Sequence, residues 1–420
     1  MEATVAVPSR HPVLRSERPL SRKRGSIVPT TLQAAIAELN EEMIALRRQI
    51  HQRPELAMQE DETSALIAWK LRAEGIETQE GVGGTGVVGL VRGKRRGRCI
   101  ALRADMDALP IQEATRLPFA SEVPGVMHAC GHDCHVAMLW AAGVALHRQR
   151  EALRGTVKLI FQPAEEAVAG APRMIADGVL DNPPVEAAVA VHVWKDPVGT
   201  LSLRYGEHLA AADGFDIVVR GKGGHGAMPH ATADPVLAAA NVVLALQQVV
   251  SRRVDPVRPA VLSVCQINGG SAFNIIPDEV ALRGTVRTFG GPTRDLVESE
   301  LQRVAQAAAK AYGCAARVKY TRSCPALIHD EALTRLVEAT CREVSGAESV
   351  VVEADPCMGA EDFAFFAQRV PATQIAVGIG TPGGPEPLFH NARFLVEERG
   401  LAVGAEALAS IAWRFVGGPD

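Results

Sequence analysis

The spacing of apolar residues predicts helices alternating with strands in the first half of the chain. Leu32, Ile36, Leu39 and Met43 recur at steps of three and four residues, which is the period of an amphipathic helix. Nearly continuous apolar runs between such helices are typical of strands that are covered on both faces of a sheet. The predicted strands are 86–91, 99–102, 156–161 and 187–193, and the predicted helices are 31–50, 63–74, 136–148 and 171–177.

The pattern changes after about residue 205. Strands are predicted at 215–219, 261–267, 280–287 and 315–320, with helices at 234–250 and 293–312. This β-α-β-β-α-β order is the ferredoxin-like arrangement. We therefore predict a small α+β domain at 206–321, inserted into an α/β domain that comprises 31–205 and 322–420. In the second part, helix 331–344, strand 374–377 and helix 398–415 resume the α/β pattern.

Length and composition agree with a folded protein of more than one domain. The 420 residues exceed the roughly 100–200 of a single domain, and 47% of them are hydrophobic. The net charge of −4 provides no basic field for nucleic acid. No uninterrupted apolar run has the roughly 20 residues of a membrane helix, and the N-terminus lacks the apolar stretch of a secretory signal. We therefore predict a cytoplasmic protein without nucleic-acid or membrane partners.

Residues 1–30 stand apart from the rest of the chain. They contain six Lys or Arg against two Glu and show neither a helical nor a strand period. A disordered basic tail is favoured over a targeting segment. The eight cysteines are too sparse and too widely spaced for a disulfide framework, so we expect reduced thiols.

The densest group of reactive side chains is the segment HACGHDCH at 128–135. Three His, two Cys and one Asp within eight residues are far more than chance would place there. Thiolate and imidazole together suit Zn²⁺ or a neighbouring first-row ion. Gly131 lets the backbone bend so that Cys130 and His132 can face one centre. Not all six side chains can be ligands, and the remaining ones are equally compatible with packing or supporting roles.

Carboxylates and single histidines follow other predicted strands. Asp105 follows strand 99–102, Glu165 and Glu166 follow strand 156–161, His192 lies at the end of strand 187–193, and His390 follows a Gly/Pro-rich loop. Each of these alone is also compatible with a polar turn or a satisfied core residue. In open α/β sheets, however, ligand sites form at the carboxyl ends of the strands. One Cys, three His and one Glu are too many for one tetrahedral ion and suit two ions that share a bridging ligand.

Eight segments of the chain match a known pattern in order. They are RADMDALP, HACGHD, QPAEE, AVHVW, GKGGHGAMPH, NIIPDEVALRGTVRTF, MGAEDFAFF and LFHN. From about residue 31 to 416 the sequence thereby resembles the dinuclear amidohydrolase branch of the carboxypeptidase G2/aminoacylase metallopeptidase family, which includes hippurate hydrolases and the plant indole-acetyl-amino-acid hydrolases. The resemblance implies a mixed-sheet α/β catalytic domain of the zinc-peptidase kind. Its inserted ferredoxin-like domain would serve as a lid or for dimerisation.

The resemblance also implies a set of five metal ligands. Cys130 would bridge two divalent ions, one of them further held by Glu166 and His390 and the other by His132 and His192. Zn²⁺ or Mn²⁺ is expected, and Co²⁺ or Ni²⁺ is compatible with the same ligands.

The resemblance assigns further roles around this centre. Glu165 would be the general base, and His225 in GGHG would stabilise the oxyanion. Because Arg103 replaces the His of the His-x-Asp motif found in other branches, Asp105 would orient a ligand rather than bind an ion. The positions matching substrate contacts are Asn274, Arg287 and Gly359.

The predicted function is hydrolysis of the amide bond of an N-acyl amino acid, hippurate-like or N-acetylated, or of a small peptide. A metal-activated water would attack, with Glu165 as base. A homodimer or higher homo-oligomer is expected, and in a dimer the partner would donate His225. A dipeptidase or carboxypeptidase of the same family is the alternative. A cysteine hydrolase with Cys130 as nucleophile would leave three of the predicted ligands unused. An inactive metal-binding protein would have no use for Glu165.

Overall fold

The computed structural model describes residues 29–417 apart from Pro382, Pro385 and Pro387. The predicted disordered tail therefore lies almost entirely outside the described residues. The helices are α1 (Thr30–Gln52), α2 (Asp61–Ala73), α3 (His132–Arg148), α4 (Gly170–Ala176), α5 (Pro235–Gln248), α6 (Gly291–Lys310), α7 (Glu331–Ser345), α8 (Ala364–Ala367) and α9 (Gly400–Val416). The strands are β1 (Glu77–Val82), β2 (Gly86–Arg92), β3 (Arg95–Asp105), β4 (Arg154–Gln162), β5 (Ala187–Pro197), β6 (Leu201–Leu203), β7 (Gly206–Leu209), β8 (Ala211–Arg220), β9 (Gly224–His225), β10 (Ala260–Gly269), β11 (Ile275–Ile276), β12 (Glu279–Thr288), β13 (Ala315–Cys324), β14 (Leu327–His329), β15 (Val350–Val352) and β16 (Ala372–Gly380).

An eight-stranded mixed sheet with strand order β1-β2-β4-β3-β5-β16-β6-β15 forms the larger layer. Its centre is parallel, because β3 pairs in parallel with β4 and β5, and β5 pairs in parallel with β16. Along β3, Ile100 and Leu102 lie in the hydrophobic cluster formed with α1, α3 and α9, whereas Cys99 and Ala101 lie in the cluster formed with α4 and α8. Both faces of the strand are thus covered, which accounts for its uninterrupted apolar run.

A second, four-stranded antiparallel sheet has the order β10-β12-β8-β13. Helices α5 and α6 pack on it and share a separate hydrophobic cluster with the inward residues of β8, including Phe215, Ile217 and Val219. In chain order the strands are arranged 4-1-3-2, the ferredoxin-like topology. The predicted fold class is therefore confirmed, whereas the domain limits at 206 and 321 stay a prediction.

Several short or polar strands are absent from the sequence prediction. The strand β1 is mostly exposed, with the sequence ETQEGV, and β15 comprises three residues. Both lie at the edges of the large sheet. An edge strand pairs on one side only and needs no long apolar run, so the hydrophobic pattern does not reveal it.

Among the described residues, one helical stretch, Pro235–Arg253, is long and apolar enough to cross a membrane by length and composition alone. A single stretch of this kind is weak evidence, because core helices of soluble proteins pass the same test. Part of its apolar surface is explained by packing, since Ala238, Val242 and Leu246 lie in the cluster of the four-stranded sheet.

Candidate metal centre and active site

The parallel strands bring several predicted site residues to one edge of the large sheet. Asp105 is the last residue of β3, and Glu165 and Glu166 follow the end of β4 at Gln162. His192 lies in β5, which pairs with β3 on the side opposite to β4. Cys130 and His132 come from the junction at which α3 begins. This edge is the place at which open α/β sheets form their ligand sites.

The five predicted metal ligands lie together, and their ligand atoms form two groups that share Cys130. The atoms of Cys130, His132 and His192 lie within 4.8 Å of one another, and so do those of Cys130, Glu166 and His390. The Sγ of Cys130 is 3.7 Å from Nε2 of His192, and Nε2 of His390 is 3.2 Å from Oε1 of Glu166. A sulfur atom that belongs to both groups has the placement required of a bridging ligand.

Gly131 separates the bridging cysteine from His132, and its backbone requires glycine. Its φ of +86° lies in the left-handed region. A Cβ atom at this position would meet Cγ2 of Val193 at 2.4 Å. The chain therefore bends at residue 131 in a way that any other residue would oppose, and this bend turns Cys130 and His132 towards the same point.

We expect the Gly131→Ala variant to lose about 2–5 kcal/mol of unfolding free energy, from the left-handed backbone and the overpacking together. Gly125 provides a matched control, because its φ of +77° is similar but a Cβ there would meet nothing within 4 Å. Gly125→Ala should lose only the roughly 1–2 kcal/mol of the backbone term. Equal losses in denaturant titrations of the two variants would contradict the close contact with Val193.

Hydrogen bonds show that His192 has a ring nitrogen free to bind a metal ion and that His135 does not. Nδ1–H of His192 donates to the carbonyl oxygen of Val193 at 2.6 Å, which leaves Nε2 for a ligand. In His135, Nε2 accepts the N–H of Val193 at 2.8 Å, so Nδ1 carries the proton and donates it to Oδ1 of Asp105 at 2.5 Å. Both nitrogens of His135 are thereby engaged, and it supports the site without binding an ion.

Unpaired polar atoms at the centre test whether a metal ion fits. Among the described residues, both ring nitrogens of His132 and Oε1 of Glu166 are buried and make no well-aligned hydrogen bond, although Nε2 of His390 lies 3.2 Å from the latter. Such atoms cost about 1–3 kcal/mol each unless a ligand satisfies them. A bound cation would do so, and the set of thiolate, imidazole and carboxylate donors is one that Zn²⁺ and related ions accept. The residues therefore fit a metal centre.

Burial raises the pKa of Cys130 to about 12. A nucleophilic cysteine shows the opposite shift, because its thiolate must be populated at neutral pH. A thiol that coordinates a cation, in contrast, is deprotonated by the ion itself. The surroundings of Cys130 thus favour a metal ligand over a nucleophile.

Beneath the ligands lies a buried arginine that connects several carboxylates. The guanidinium of Arg103 donates to Asp105 at 2.6 Å and to Glu361 and Asp362 at 2.9 Å. Asp105 therefore accepts one bond on each oxygen, from His135 and from Arg103. Although burial alone would raise the pKa of Asp105, the positive charges of His132 and Arg103 hold it well below its ordinary value. An aspartate with both oxygens engaged fits the orienting role expected for it.

Glu165 lies beside the ligand groups and is almost completely buried. Its Oε1 accepts the N–H of Asp362 at 3.3 Å. Burial, and after it the charges of Glu361 and Asp362, raise the pKa of Glu165 well above its ordinary value. A carboxyl group with a raised pKa accepts a proton more readily than an ordinary carboxylate, which suits general acid–base chemistry.

A cavity of about 720 Å³ opens onto this centre. It contacts four of the predicted ligands together with Glu165, and it also contacts the predicted substrate residues Arg287 and Gly359. Apolar side chains make up much of the remaining wall, among them Trp194, Leu203, Leu209 and Phe389. The cavity has the size and the mixture of apolar walls and a few polar groups that is typical of small-molecule sites.

Two predicted residues, His225 and Asn274, are not among those that line the cavity. Both are exposed and lie next to each other, since β9 pairs with β11 and the N–H of Gly226 donates to the carbonyl oxygen of Asn274 at 2.8 Å. Nδ1 of His225 accepts the N–H of Ala227, so the proton is on Nε2. Within one chain, the structure does not bring His225 and Asn274 to the predicted ligands.

Sequence reasoning gave no role to two acidic residues that contact the backbone of this site. Asp107 accepts hydrogen bonds from the N–H groups of Glu165 and Glu166, and Glu60 accepts one from Ala164. The signal for Asp107 was its place two residues after Asp105. Glu60 gave no signal, because a single Glu before a helix is ordinary.

Comparisons with known proteins identify the family. The family described as peptidase family M20/M25/M40 matches residues 101–414. An N-acetyl-L-cysteine deacetylase of Bacillus subtilis is 40% identical over 91% of this chain and 90% of its own length. An IAA-amino acid hydrolase (ILR1-like 2) of Arabidopsis thaliana is 40% identical over 96% of this chain and 92% of its own length.

Among solved structures, a dinuclear metal-binding peptidase of the M20 family from Bacillus subtilis superimposes with a TM-score of 0.79. It is 35% identical, and the match covers 91% of this chain and 99% of that one. The resemblance expected from the motifs is thereby confirmed, as is the prediction of a hydrolytic enzyme. The chain belongs to the peptidase family M20/M25/M40.

Proposed function

We propose that this enzyme hydrolyses the amide bond of N-acyl amino acids, including hippurate-like and N-acetylated ones, with two divalent ions at the centre described above. The observation that carries the proposal is the pair of ligand-atom groups sharing Cys130, with Glu165 beside them at the wall of a 720 Å³ cavity. Zn²⁺ or Mn²⁺ is our first choice of ion, and Co²⁺ and Ni²⁺ suit the same donors.

The chain would contribute proton transfer, orientation and charge. When bound, the ions would supply an acidified water and polarise the scissile carbonyl. Glu165 takes the proton of the attacking water and passes it to the leaving amine. His225 donates Nε2–H to the oxyanion. Arg287, which lines the cavity, holds the free α-carboxylate of the substrate through a charge-assisted pair.

The same arrangement also supports a dipeptidase or carboxypeptidase reaction. An arginine that binds a free carboxylate accepts the C-terminal residue of a peptide as well as an N-acyl amino acid. A hydrolysis panel of N-acetyl and N-benzoyl amino acids and dipeptides distinguishes the two substrate classes by kcat/KM. A preference of tenfold or more for dipeptides would overturn our first choice.

Removal of metal tests the class of chemistry. We expect a chelator to abolish hydrolysis and Zn²⁺ or Mn²⁺ to restore it, because both ligand groups contribute to one reaction centre. A thiol reagent that inactivates a metal-free but fully active enzyme would instead establish a cysteine hydrolase. Binding of metal without hydrolysis of any member of the panel would indicate an inactive metal-binding protein.

We further propose that the enzyme is a cytoplasmic homodimer in which the partner chain supplies His225. The exposed position of His225 outside the cavity supports this. So does a nearby apolar surface, since the side chains of Ile267, Phe273 and Ile275 are exposed. Ile267 lies in β10, an edge strand that could pair with a second copy.

Subunit exchange provides the test of this arrangement. Glu165→Gln and His225→Ala chains should each be inactive alone. In a mixed dimer, the site that keeps Glu165 receives His225 from the other chain, so activity should return at one site per dimer. Verified exchange without recovery would show that His225 acts within its own chain, or that the dimer is of another kind.

A further inference from the structure

Two buried carboxylates hold the turn that carries Glu165 and Glu166. Oδ1 of Asp107 accepts the N–H of Glu165, and Oδ2 accepts the N–H of Glu166, both at 3.0 Å. Oε1 of Glu60 accepts the preceding N–H, that of Ala164, at 2.9 Å. Three successive N–H groups thus donate to side chains from two distant parts of the sequence. The turn needs such support, because Ala164 has a φ of +52°, which a residue with a Cβ rarely adopts.

The two carboxylates are themselves fixed. Glu60 is fully buried, and Oγ1 of Thr85 donates to its second oxygen at 2.5 Å. Asp107 is buried, and its Oδ1 also lies 3.3 Å from Nδ1 of His132. This is an ion-pair contact rather than a well-aligned hydrogen bond, and it lies on the side of the imidazole ring opposite to Nε2. Asp107 therefore contacts the turn of Glu165 and Glu166 and the ring of His132 at once.

We propose that Asp107 and Glu60 are positioning residues with different tasks. Asp107 sets the direction of Glu165, Glu166 and His132 together, and so couples the position of the base to that of the metal ligands. Glu60 holds only the turn. The inference rests on the proposed function, which assigns the roles of base and metal ligands to Glu165, Glu166 and His132. Neither Asp107 nor Glu60 lines the cavity, so neither is expected to contact substrate.

The hydrogen bonds predict which substitutions each position tolerates. Asp107 faces two N–H donors and needs two acceptor oxygens. In Asp107→Asn the amide NH₂ would face one of these donors, whichever way the side chain turns. Glu60 faces one N–H and one hydroxyl, and a hydroxyl can accept as well as donate. Glu60→Gln can therefore keep both contacts, whereas Glu60→Ala keeps neither.

Glu55 provides a matched control. Its carboxylate accepts the N–H groups of Glu62 and Thr63 at 2.9 and 2.8 Å, the same two-donor arrangement as at Asp107. These bonds lie at the start of α2 rather than at the turn of Glu165. Glu55→Gln thus disrupts a contact of the same kind, in a more exposed position, without touching the predicted base or ligands.

The experiment measures kcat, KM, Tm and Zn²⁺ affinity, the last by competition with a chromophoric chelator. For Asp107→Asn we expect kcat to fall about 10–100-fold at a KM within about twofold, and Zn²⁺ affinity to fall about 10–100-fold, as for other residues that orient metal ligands. Glu60→Ala should lower kcat with a smaller loss of Zn²⁺ affinity, and Glu60→Gln should restore kcat. Glu55→Gln should lower Tm but leave kcat and Zn²⁺ affinity unchanged.

Two results would overturn the proposal or part of it, and a third would overturn only the proposed function. If Asp107→Asn changes Tm alone, as the control does, Asp107 is only a structural residue. If kcat falls as much in Glu60→Gln as in Glu60→Ala, one acceptor oxygen at position 60 is not enough to hold the turn, and the role proposed for Glu60 is wrong. If the wild-type enzyme hydrolyses no member of the amide panel, the proposed function fails. The measurement of Zn²⁺ affinity then still tests the role of Asp107. Weaker Zn²⁺ binding by Asp107→Asn supports a positioning role for Asp107, and unchanged binding overturns that role.

Discussion

Replacement of Glu165 by glutamine is expected to lower kcat by about 10²–10⁴-fold, the usual contribution of a general base. The amide has the size of the carboxylate and keeps an acceptor oxygen. In the wild-type enzyme the N–H of Asp362 donates to Glu165 at 3.3 Å, and the amide oxygen can accept the same bond. The backbone bond to Asp107 is also retained. What the variant loses is the capacity to take a proton from water. The loss should therefore appear in kcat, with KM little changed.

The metal content of Glu165→Gln separates the base from the ligands. We expect it to equal that of the wild-type enzyme, because Glu166 and not Glu165 belongs to the two groups that share Cys130. Elemental analysis of the purified variant measures this directly. Loss of metal would mean that the two glutamates exchange or share their roles, and normal turnover would refute the proposed mechanism.

Replacement of Cys130 by alanine is expected to remove or strongly weaken both ions and to abolish hydrolysis. Its Sγ is the ligand atom common to the two groups, so its loss leaves each group with two protein donors. Cys134→Ala is the control, since Cys134 is fully buried in the large hydrophobic cluster. Its metal content should match that of the wild-type enzyme, for which we predict two ions per chain.

Two outcomes would contradict this prediction. A wild-type enzyme that is fully active with a single tightly held ion would exclude the dinuclear centre. A Cys130→Ala variant that keeps one ion at wild-type affinity would show that the sulfur does not bridge. Titration of the metal-free protein with Zn²⁺, followed by elemental analysis, gives both measurements.

The sequence alone determined the fold class and the composition of the site. The apolar runs of β3, β4 and β5 are continuous because helices cover both faces of the large sheet, so a local pattern reports a global arrangement. The order of strands and helices after about residue 205 predicted the ferredoxin-like sheet, in which the alternating burial along β8 reflects cover by α5 and α6 on one face only. The concentration of His and Cys at 128–135 indicated a metal centre, because soft donors at this density have few other uses.

Only the tertiary structure decided which of the candidate residues can bind an ion and which support the site. Within the segment at 128–135, His132 and His135 look alike in sequence, but the N–H of Val193 occupies one nitrogen of His135 and Asp105 the other. The exposure of His225 could not be read from GGHG, since it depends on where β9 lies relative to the cavity.

The contacts of Asp107 and Glu60 with the turn at 164–166 join positions 58 or more residues apart. Periodicity and local spacing record which way a side chain faces along its own strand or helix. They hold no information on which distant N–H group a buried carboxylate will accept. That choice is made only when the strands align and bring the two segments within hydrogen-bond distance.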